Sequence, residues 1–280
     1  MPLHGSRSAA KQSARTESVV AQYNNAAAAA GYAAAHDGWG TTARYFHSRF
    51  HAVGQALRAC AGGELLDAGC GPGMLVRNLL DTRAGDFRLT ACDQSPAMVD
   101  ATTARTADAA DVRVLVARVE DLPFKDETFD VTVATGVLEY TDAGSGLREL
   151  TRVTRHGGKV IVTMLNPLSP YRLFEWGVYW PALRLAGRAE RMLGVPPQRR
   201  HDMATTGIHA VTRGRLAQLM RAAGLRPQEV LYFDLTPLVP PFDRLARRWS
   251  RSWRERPDRT VTRGLRRWMG TAYLLAAQRE

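Results

Sequence analysis

The sequence has few cysteines and no long apolar run, and these shortages exclude several classes of protein. The three cysteines, Cys60, Cys70 and Cys92, are too few for a disulfide framework and show no metal-ligand spacing with the seven histidines. Every apolar stretch is shorter than the roughly eighteen residues that a membrane-spanning helix needs. The first residues also lack the charged-then-apolar order of a signal peptide. We therefore expect reduced cysteines, no bound metal and a cytoplasmic location.

Lysine is scarce too, so the positive charge of the chain comes almost entirely from arginine. The net charge is +11, and residues 242–270 hold ten arginines against three acids, which places +7 of it in one segment. Trp249, Trp253 and Trp268 are interleaved with these arginines. This composition suits peripheral contact with an anionic membrane or an acidic partner, a homo-oligomer contact, or simply a solvated arginine-rich face.

Short apolar runs alternate with helical segments along most of the chain. Residues 1–18 have no apolar period and predict a mobile tail, whereas residues 19–62 have helical spacing and predict an N-terminal helical cover. Between residues 63 and 165 the alternation predicts a parallel sheet with helices on both faces. The strand-like runs are residues 64–68, 87–93, 112–117, 129–135, 158–165, 228–235 and 271–278.

One domain, residues 19–280, is expected because a chain of this length with 45% hydrophobic residues can bury a single large core. Residues 63–165 would form its ligand-binding core. Residues 166–210 are an insertion rich in Tyr and Trp that predicts a helical lid over a substrate, or a lid helix with its own aromatic core. Residues 211–280 would complete the domain around the basic segment 242–270.

The glycine-rich stretch "LLDAGCGPGM" follows the first predicted strand. Gly69, Gly71 and Gly73 allow positive φ and leave no Cβ in the way of a ligand, and Asp67 offers a carboxylate beside them. The dinucleotide fingerprint is G-x-G-x-x-G, so the G-x-G-x-G spacing here disfavours a nicotinamide dehydrogenase. The acid suits a ligand with an ammonium group, although an ordinary tight turn would use the same glycines.

A second acid, Asp93, ends the second predicted strand, twenty residues after Gly73. An acid at this position of an open parallel sheet can bind both hydroxyls of a ribose. The alternative is a solvated acid, or a cap of the helix that starts near Pro96. The glycine turn and Asp93 together indicate a nucleoside ligand.

Four blocks of sequence resemble those of class I S-adenosylmethionine-dependent methyltransferases, and most of all the small-molecule family called type 11. They are "LLDAGCGPG", "CDQSPAM", "EDLPFKDETFDVTVATGVLEY" and "LRELTRVTRHGGKVIV", in the family's order and spacing. The resemblance covers residues 64–165, with weaker agreement to residue 235. It implies a Rossmann-like α/β fold with a seven-stranded, mostly parallel sheet, N-terminal helices and a helical lid after the fifth strand.

The resemblance also implies S-adenosyl-L-methionine as cofactor, with S-adenosyl-L-homocysteine as product, and assigns residues to it. Asp67 and the backbone from Gly69 to Gly73 would hold the methionine part. This sequence has Arg118 where the family commonly has an Asp that accepts from the adenine amino group, and an arginine can only donate. The full predicted binding set is Asp67, Ala68, Gly69, Gly71, Gly73, Asp93 for the ribose, Gln94 and Met98 for adenine, Val119 and Glu120 at the adenine edge, and Thr135 under the sulfonium.

Methyl transfer from a sulfonium needs in-line alignment of donor and acceptor more than it needs a nucleophilic triad, and no triad is visible. A base helps if the acceptor is a phenol or a carbon. Glu139, Tyr140, His209 and His36 are the candidates, and each has a structural or solvated alternative.

The predicted function is in-line SN2 methyl transfer to a small molecule, an aromatic or lipid-like specialised metabolite. An RNA methyltransferase that uses the arginines as a phosphate track is the enzymatic alternative, but "ATGVLEY" lacks the N/D-P-P-Y/F pattern of base-amino modifiers. A non-catalytic protein that keeps the cofactor fold is the other. Nucleic acid is therefore not an expected partner.

Overall fold

The computed structural model describes residues 25–37, 41–109, 111–196, 208–236, 256, 261–263 and 265–280. Four predictions therefore lie wholly or partly outside the described residues: the tail 1–18, residues 19–24 and 38–40 of the helical cover, the lid between 197 and 207, and most of the basic segment 242–270. The boundaries assigned to the domain and its parts stay predictions.

Seven strands form one sheet in the order β3-β2-β1-β4-β5-β7-β6. The first five pair in parallel, and β7 pairs antiparallel with both β5 and β6. The predicted seven-stranded, mostly parallel sheet is therefore confirmed. The strands are β1 Gly63–Ala68, β2 Phe87–Asp93, β3 Val112–Val116, β4 Phe129–Ala134, β5 Thr154–Leu165, β6 Leu225–Leu235 and β7 Gly270–Arg279.

Helices connect these strands and begin at side-chain caps where the sequence provides them. Ser95 accepts from the amide of Met98 at the start of α4, and Asp142 accepts from the amide of Ser145 at the start of α5. The helices are α1 Ala26–Asp37, α2 Thr41–Leu57, α3 Met74–Thr82, α4 Pro96–Arg105, α5 Ala143–Val153, α6 Pro170–Phe174, α7 Trp180–Met192 and α8 Arg213–Ala222, with a π-helical turn Glu175–Tyr179 and a 3-10 helix Leu265–Met269.

The core has one layer on each face of the sheet, because successive residues of a strand point to opposite sides. Leu65 packs with α2 and α3 on one face, and Leu66 packs with α5 and α8 on the other. Both leucines are completely buried. Burial of the sheet on both faces explains why adjacent residues of a central strand, such as Leu65 and Leu66, are both apolar.

The insertion after β5 is helical, as predicted, and runs through α6, the π-helical turn and α7. Ser169 caps α6 by accepting from the amide of Arg172. No helix among the described residues is long and apolar enough to cross a membrane.

A buried ion pair attaches the N-terminal helices to the far edge of the sheet. The Nε of Arg44 on α2 lies 2.6 Å from Oδ1 of Asp234 on β6, and both side chains are about 5% exposed. The other oxygen of Asp234 accepts from the hydroxyl of Thr271 on β7. The contact therefore ties three elements together.

Replacing Asp234 with Asn should lower the free energy of unfolding by about 3 kcal/mol, because it removes the carboxylate that faces the buried Arg44 cation. Asn also tolerates the positive φ of 54° at this position. Urea unfolding measures the loss. Arg88→Ala, which removes an exposed pair with Glu64, is the control and should cost much less; equal losses would contradict the role of the buried pair.

Candidate active site

A cavity of about 500 Å³ opens at the carboxyl ends of β1, β2 and β4 and reaches under the N-terminal helices and the lid. Side chains from α1, α2, α6 and the π-helical turn form its outer wall. Ten residues predicted for cofactor or catalysis line it: Gly69, Gly71, Asp93, Gln94, Met98, Val119, Glu120, Thr135, Glu139 and Tyr140.

The other predicted residues lie behind or beside the cavity. Asp67 and Ala68 are buried at the end of β1, and Gly73 immediately precedes α3. His209 is exposed, and its backbone amide donates to the carbonyl of Glu139 at 2.8 Å. Their predicted roles stay predictions.

Each glycine of the turn has positive φ, but the three are glycines for different reasons. A Cβ on Gly69 would lie 2.2 Å from a methyl of Val137, and one on Gly73 would lie 2.8 Å from a methyl of Thr102. A Cβ on Gly71 would meet nothing closer than the Tyr32 ring at 3.8 Å. Gly69 and Gly73 thus permit packing, whereas Gly71 leaves bare main chain at the cavity surface.

The turn is held by hydrogen bonds to β2 and α4. The amide of Gly71 donates to Oδ2 of Asp93 at 3.0 Å, and its carbonyl accepts from the hydroxyl of Thr102 at 2.7 Å. The amide of Ser95 donates to the other oxygen of Asp93 at 2.9 Å. Burial raises the pKa of Asp93, although these amide bonds oppose the rise. Asp93 therefore fixes the turn and still lines the cavity.

Asp67 is a buried carboxylate whose two oxygens have no hydrogen-bond partner among the described residues. Burial raises the pKa of Asp67 to about 7, against the opposing charge of Arg49. An unpartnered buried acceptor is costly. A ligand with an ammonium group, or a water it carries, would satisfy it.

The side of the cavity predicted for adenine combines buried apolar side chains with one available acceptor. Met98 and Val119 are buried, and Oε2 of Glu120 is buried without a hydrogen bond among the described residues. Arg118 is 56% exposed and reaches Glu120 only at 3.9 Å. This placement favours Glu120 as the acceptor that replaces the family's Asp.

Glu139 is the catalytic candidate whose environment suits proton transfer. Its Oε1 accepts from the amide of Leu165 at 3.1 Å, and its Oε2 is buried and has no partner among the described residues. Burial raises the pKa of Glu139 to about 7, despite the charges of Arg49 and Arg172. A carboxylate with a pKa near neutral and a free oxygen can accept a proton at physiological pH.

His36 lies outside the residues that line the cavity. Its ring stacks on Phe46 at 3.5 Å, and Nδ1 lies 3.0 Å from the carbonyl of Tyr32. Burial lowers the pKa of His36 to about 4, so it remains neutral at pH 7. These contacts are those of a packing residue of the helical cover.

The sequence patterns missed three arginines in the cavity wall. Arg44 pairs with Asp234, and Arg172 pairs with Glu175 at 2.5 Å. Arg49 is 5% exposed, and its guanidinium lies over Tyr45, Phe46 and Phe50 at 4.9 to 5.9 Å. The spacing of Tyr45 and Arg49, one turn apart on a helix that precedes the sheet, is the sequence feature that could have indicated an arginine packed on aromatic rings.

The fold and this site define the class. A seven-stranded sheet of this order, a bare glycine turn after β1, an acid at the end of β2 and a cavity beside them agree with the class I methyltransferase resemblance, since ligands of open α/β sheets bind at the carboxyl ends of the strands. Within the described residues, no group of three or more His, Cys, Asp or Glu could hold a metal ion.

Comparison with a family model supports that class directly. Residues 66–162 match the family described as "Methyltransferase domain". This part of the chain therefore belongs to that domain family, and the predicted type 11 class is confirmed.

Curated relatives match the same region. The chain is 30% identical over 110 residues to the ubiquinone/menaquinone biosynthesis C-methyltransferase of Geotalea daltonii, which covers 38% of this chain and 47% of the relative. It is 35% identical over 121 residues to the malonyl-[acyl-carrier protein] O-methyltransferase of Herminiimonas arsenicoxydans, covering 43% and 44%. The chain thus spans about half the length of the curated relatives it matches.

Solved structures share the fold over most of the chain. A methyltransferase in complex with the Haloferax volcanii Trm112 activator has a TM-score of 0.56 at 21% identity, covering 82% of this chain and 89% of that one. The geranyl diphosphate C-methyltransferase of Streptomyces coelicolor A3(2), solved with Mg2+, geranyl diphosphate and S-adenosyl-L-homocysteine, has a TM-score of 0.52 at 18% identity, covering 84% and 78%. The predicted cofactor agrees with these methyltransferase relatives.

Ionisation of Asp67 should make the ligand-free protein less stable as pH rises. The carboxyl has a pKa near 3.8 when unfolded and about 7 when folded. Between those values the folded state binds more protons than the unfolded state, so the free energy of unfolding falls with increasing pH. Asp67→Asn should therefore be more stable than the parent by on the order of 4 kcal/mol at pH 8, and about equal to it near pH 4.

Urea unfolding at the two pH values measures this difference, with Asp100→Asn on the exposed side of α4 as the control. The same stability difference at both pH values would show that Asp67 does not titrate as described.

Proposed function

We propose that this protein transfers a methyl group from S-adenosyl-L-methionine to a small molecule of aromatic or lipid-like character. The observation that carries the proposal is the bare main chain at Gly71 in the cavity wall, hydrogen-bonded to the cavity-lining carboxylate of Asp93. The buried carboxylate of Asp67, which has no hydrogen-bond partner among the described residues, stands at the end of the preceding strand β1. A nucleoside with an amino-acid side chain presents the complementary groups, which are ribose hydroxyls and an ammonium.

The residues present fit this cofactor. Asp67 would accept, directly or through water, from the ammonium, Asp93 would accept from the ribose hydroxyls, and Met98 and Val119 would pack on adenine. Glu120 would accept from the adenine amino group. When bound, the cofactor supplies a methyl group already activated on a sulfonium.

Glu139 would act as the general base. Its free Oε2 would hold a proton released by a hydroxyl or an acidic carbon of the acceptor, while the amide of Leu165 keeps the other oxygen in place. The Arg49 cation lowers the cost of the carboxylate form.

Rings and aliphatic side chains in the outer wall support this acceptor class. Tyr45, Phe46 and Tyr171 contribute rings, and Leu165 and Ile208 contribute aliphatic surface. Flat or apolar acceptors suit such a wall. Relatives named for quinone biosynthesis and for geranyl diphosphate support the same chemistry.

Asp93→Ala should lower the affinity for S-adenosyl-L-homocysteine at least tenfold, because it removes the ribose acceptor and also the bond that fixes Gly71. Thermal shift and calorimetric titration measure this, since a ligand at one hundred times its Kd adds about 2.7 kcal/mol to stability. NAD+ is the matched ligand control and should not stabilise the parent protein. Unchanged affinity in the variant would mean that the ribose is held elsewhere.

Glu139→Gln should reduce kcat by about 10²-fold or more while leaving the affinity for S-adenosyl-L-homocysteine within a few-fold. Glutamine keeps the acceptor for the Leu165 amide but cannot take a proton. The parent activity should rise with pH to a plateau above about 7, the pKa of Glu139.

Methyl-transfer rates of the parent protein are first measured with phenols, quinols, amines, prenylated acceptors and RNA. The acceptor with the highest rate is then used to compare the parent with Glu139→Gln. If the variant retained the parent rate and the parent pH profile on the best acceptor, another group would be the base.

A further inference from the structure

The helix α7 presents an apolar and basic stripe to solvent. Leu185 is 62% exposed and Met192 is 89% exposed, and they lie two turns apart on the same side. Arg188 lies between them, and Arg184 and Arg191 flank the stripe, all three exposed. A helix whose outer side combines large apolar residues with arginines resembles helices that lie in a membrane interface.

Neighbouring elements also carry exposed apolar side chains. Leu173 and Val178, before α7, are each more than half exposed. The 3-10 helix Leu265–Met269 contacts α6, and there Trp268, which is 58% exposed, directly follows the exposed Arg266 and Arg267. We call the exposed side of residues 173–193 together with residues 266–268 the lid face.

Charge on the lid face is strongly one-sided. The described part holds five exposed arginines on α7 and the 3-10 helix. Of the acids in these segments, Glu175 is paired with Arg172 and lines the cavity, and Glu190 is half-buried. An apolar surface with this excess of arginine is complementary to anionic lipid headgroups above acyl chains.

The lid face is the outer side of a segment that also lines the cavity. Tyr171, Arg172 and Glu175 belong to the same helical insertion and contribute to the cavity wall. A lipid surface on the outer side would therefore lie next to the element that covers the acceptor.

We propose that the lid face docks peripherally on an anionic lipid bilayer, with the apolar side chains of α7 and Trp268 in the interface and the arginines at the headgroups. The surface differs from the central part of the arginine-rich segment, and the proposal does not depend on methyl transfer.

Vesicle flotation of the full chain tests it. Binding is expected with vesicles of phosphatidylcholine mixed with phosphatidylglycerol, should fall as salt is raised, and should be at least tenfold weaker with phosphatidylcholine alone. Arg184→Gln/Arg188→Gln should reduce binding at least tenfold, since each arginine at a surface of this kind is worth about fivefold. Leu185→Gln/Met192→Gln should also reduce binding at least tenfold, because binding strength scales with the apolar area buried in the interface.

Matched controls exist on other faces. Val116→Gln changes an apolar side chain that is 52% exposed on the edge strand β3, and Arg215→Gln/Arg221→Gln removes two exposed arginines from α8. Both should retain parent binding.

Failure of the parent protein to float with anionic vesicles would overturn the proposal, and so would equal losses in the controls. Sedimentation velocity measures self-association of the parent and of the lid-face variants. If the parent self-associates but does not float, and the lid-face variants do not self-associate, the proposal is wrong and the surface binds a second copy of the chain. None of these readouts depends on methyl transfer, so the proposed function can fail or stand separately.

Discussion

The hydrogen bond from the Gly71 amide to the Asp93 side chain is the interaction on which the site depends. It joins the turn after β1 to the end of β2, and the amide of Ser95 donates a hydrogen bond to the other oxygen of the same Asp93 carboxylate. With the turn fixed in this way, its main chain faces the cavity with no side chain over it. This contact fixes the position of the turn beside a carboxylate, and the absence of a Cβ at Gly71 leaves the main chain there bare.

Buried charge is the second constraint, and it is concentrated around the cavity. Asp67 and Glu139 are more than 95% buried with oxygens that lack partners among the described residues, and Arg49 lies among aromatic rings close enough to affect the pKa of both. Desolvated groups of this kind destabilise a fold unless something pairs with them. Burial of these carboxylates lowers the stability of the ligand-free protein. A ligand that donates hydrogen bonds to them would recover part of that free energy.

The sequence was sufficient for the sheet and for the inner half of the cavity. Each strand had an apolar run bounded by turn residues, and a run such as "FRLTACD" carried both the strand and the acid at its end. The early start of β5 at Thr154 was missed because its first residues, "TRHG", are polar; Thr154 pairs with Phe129 across an irregularity in register. Local pattern cannot show a pairing of that kind.

The outer half of the cavity depends on contacts between distant parts of the chain. Arg44 meets Asp234 across 190 residues, and Arg49 reaches Gly136 from a helix that precedes the sheet. Neither Arg44 nor Arg49 belongs to a sequence motif, so residue spacing could not predict their place in the cavity wall. His209 illustrates the converse, since proximity of its backbone to Glu139 does not bring its side chain into the cavity.

A crystal structure of the protein with S-adenosyl-L-homocysteine tests the central claim most directly. The account predicts the nucleoside against the main chain of Gly71, with the ribose at Asp93 and the amino-acid end towards Asp67. A nucleoside bound elsewhere, or a glycine turn closed over by side chains in the complex, would contradict it and leave only the sheet topology established.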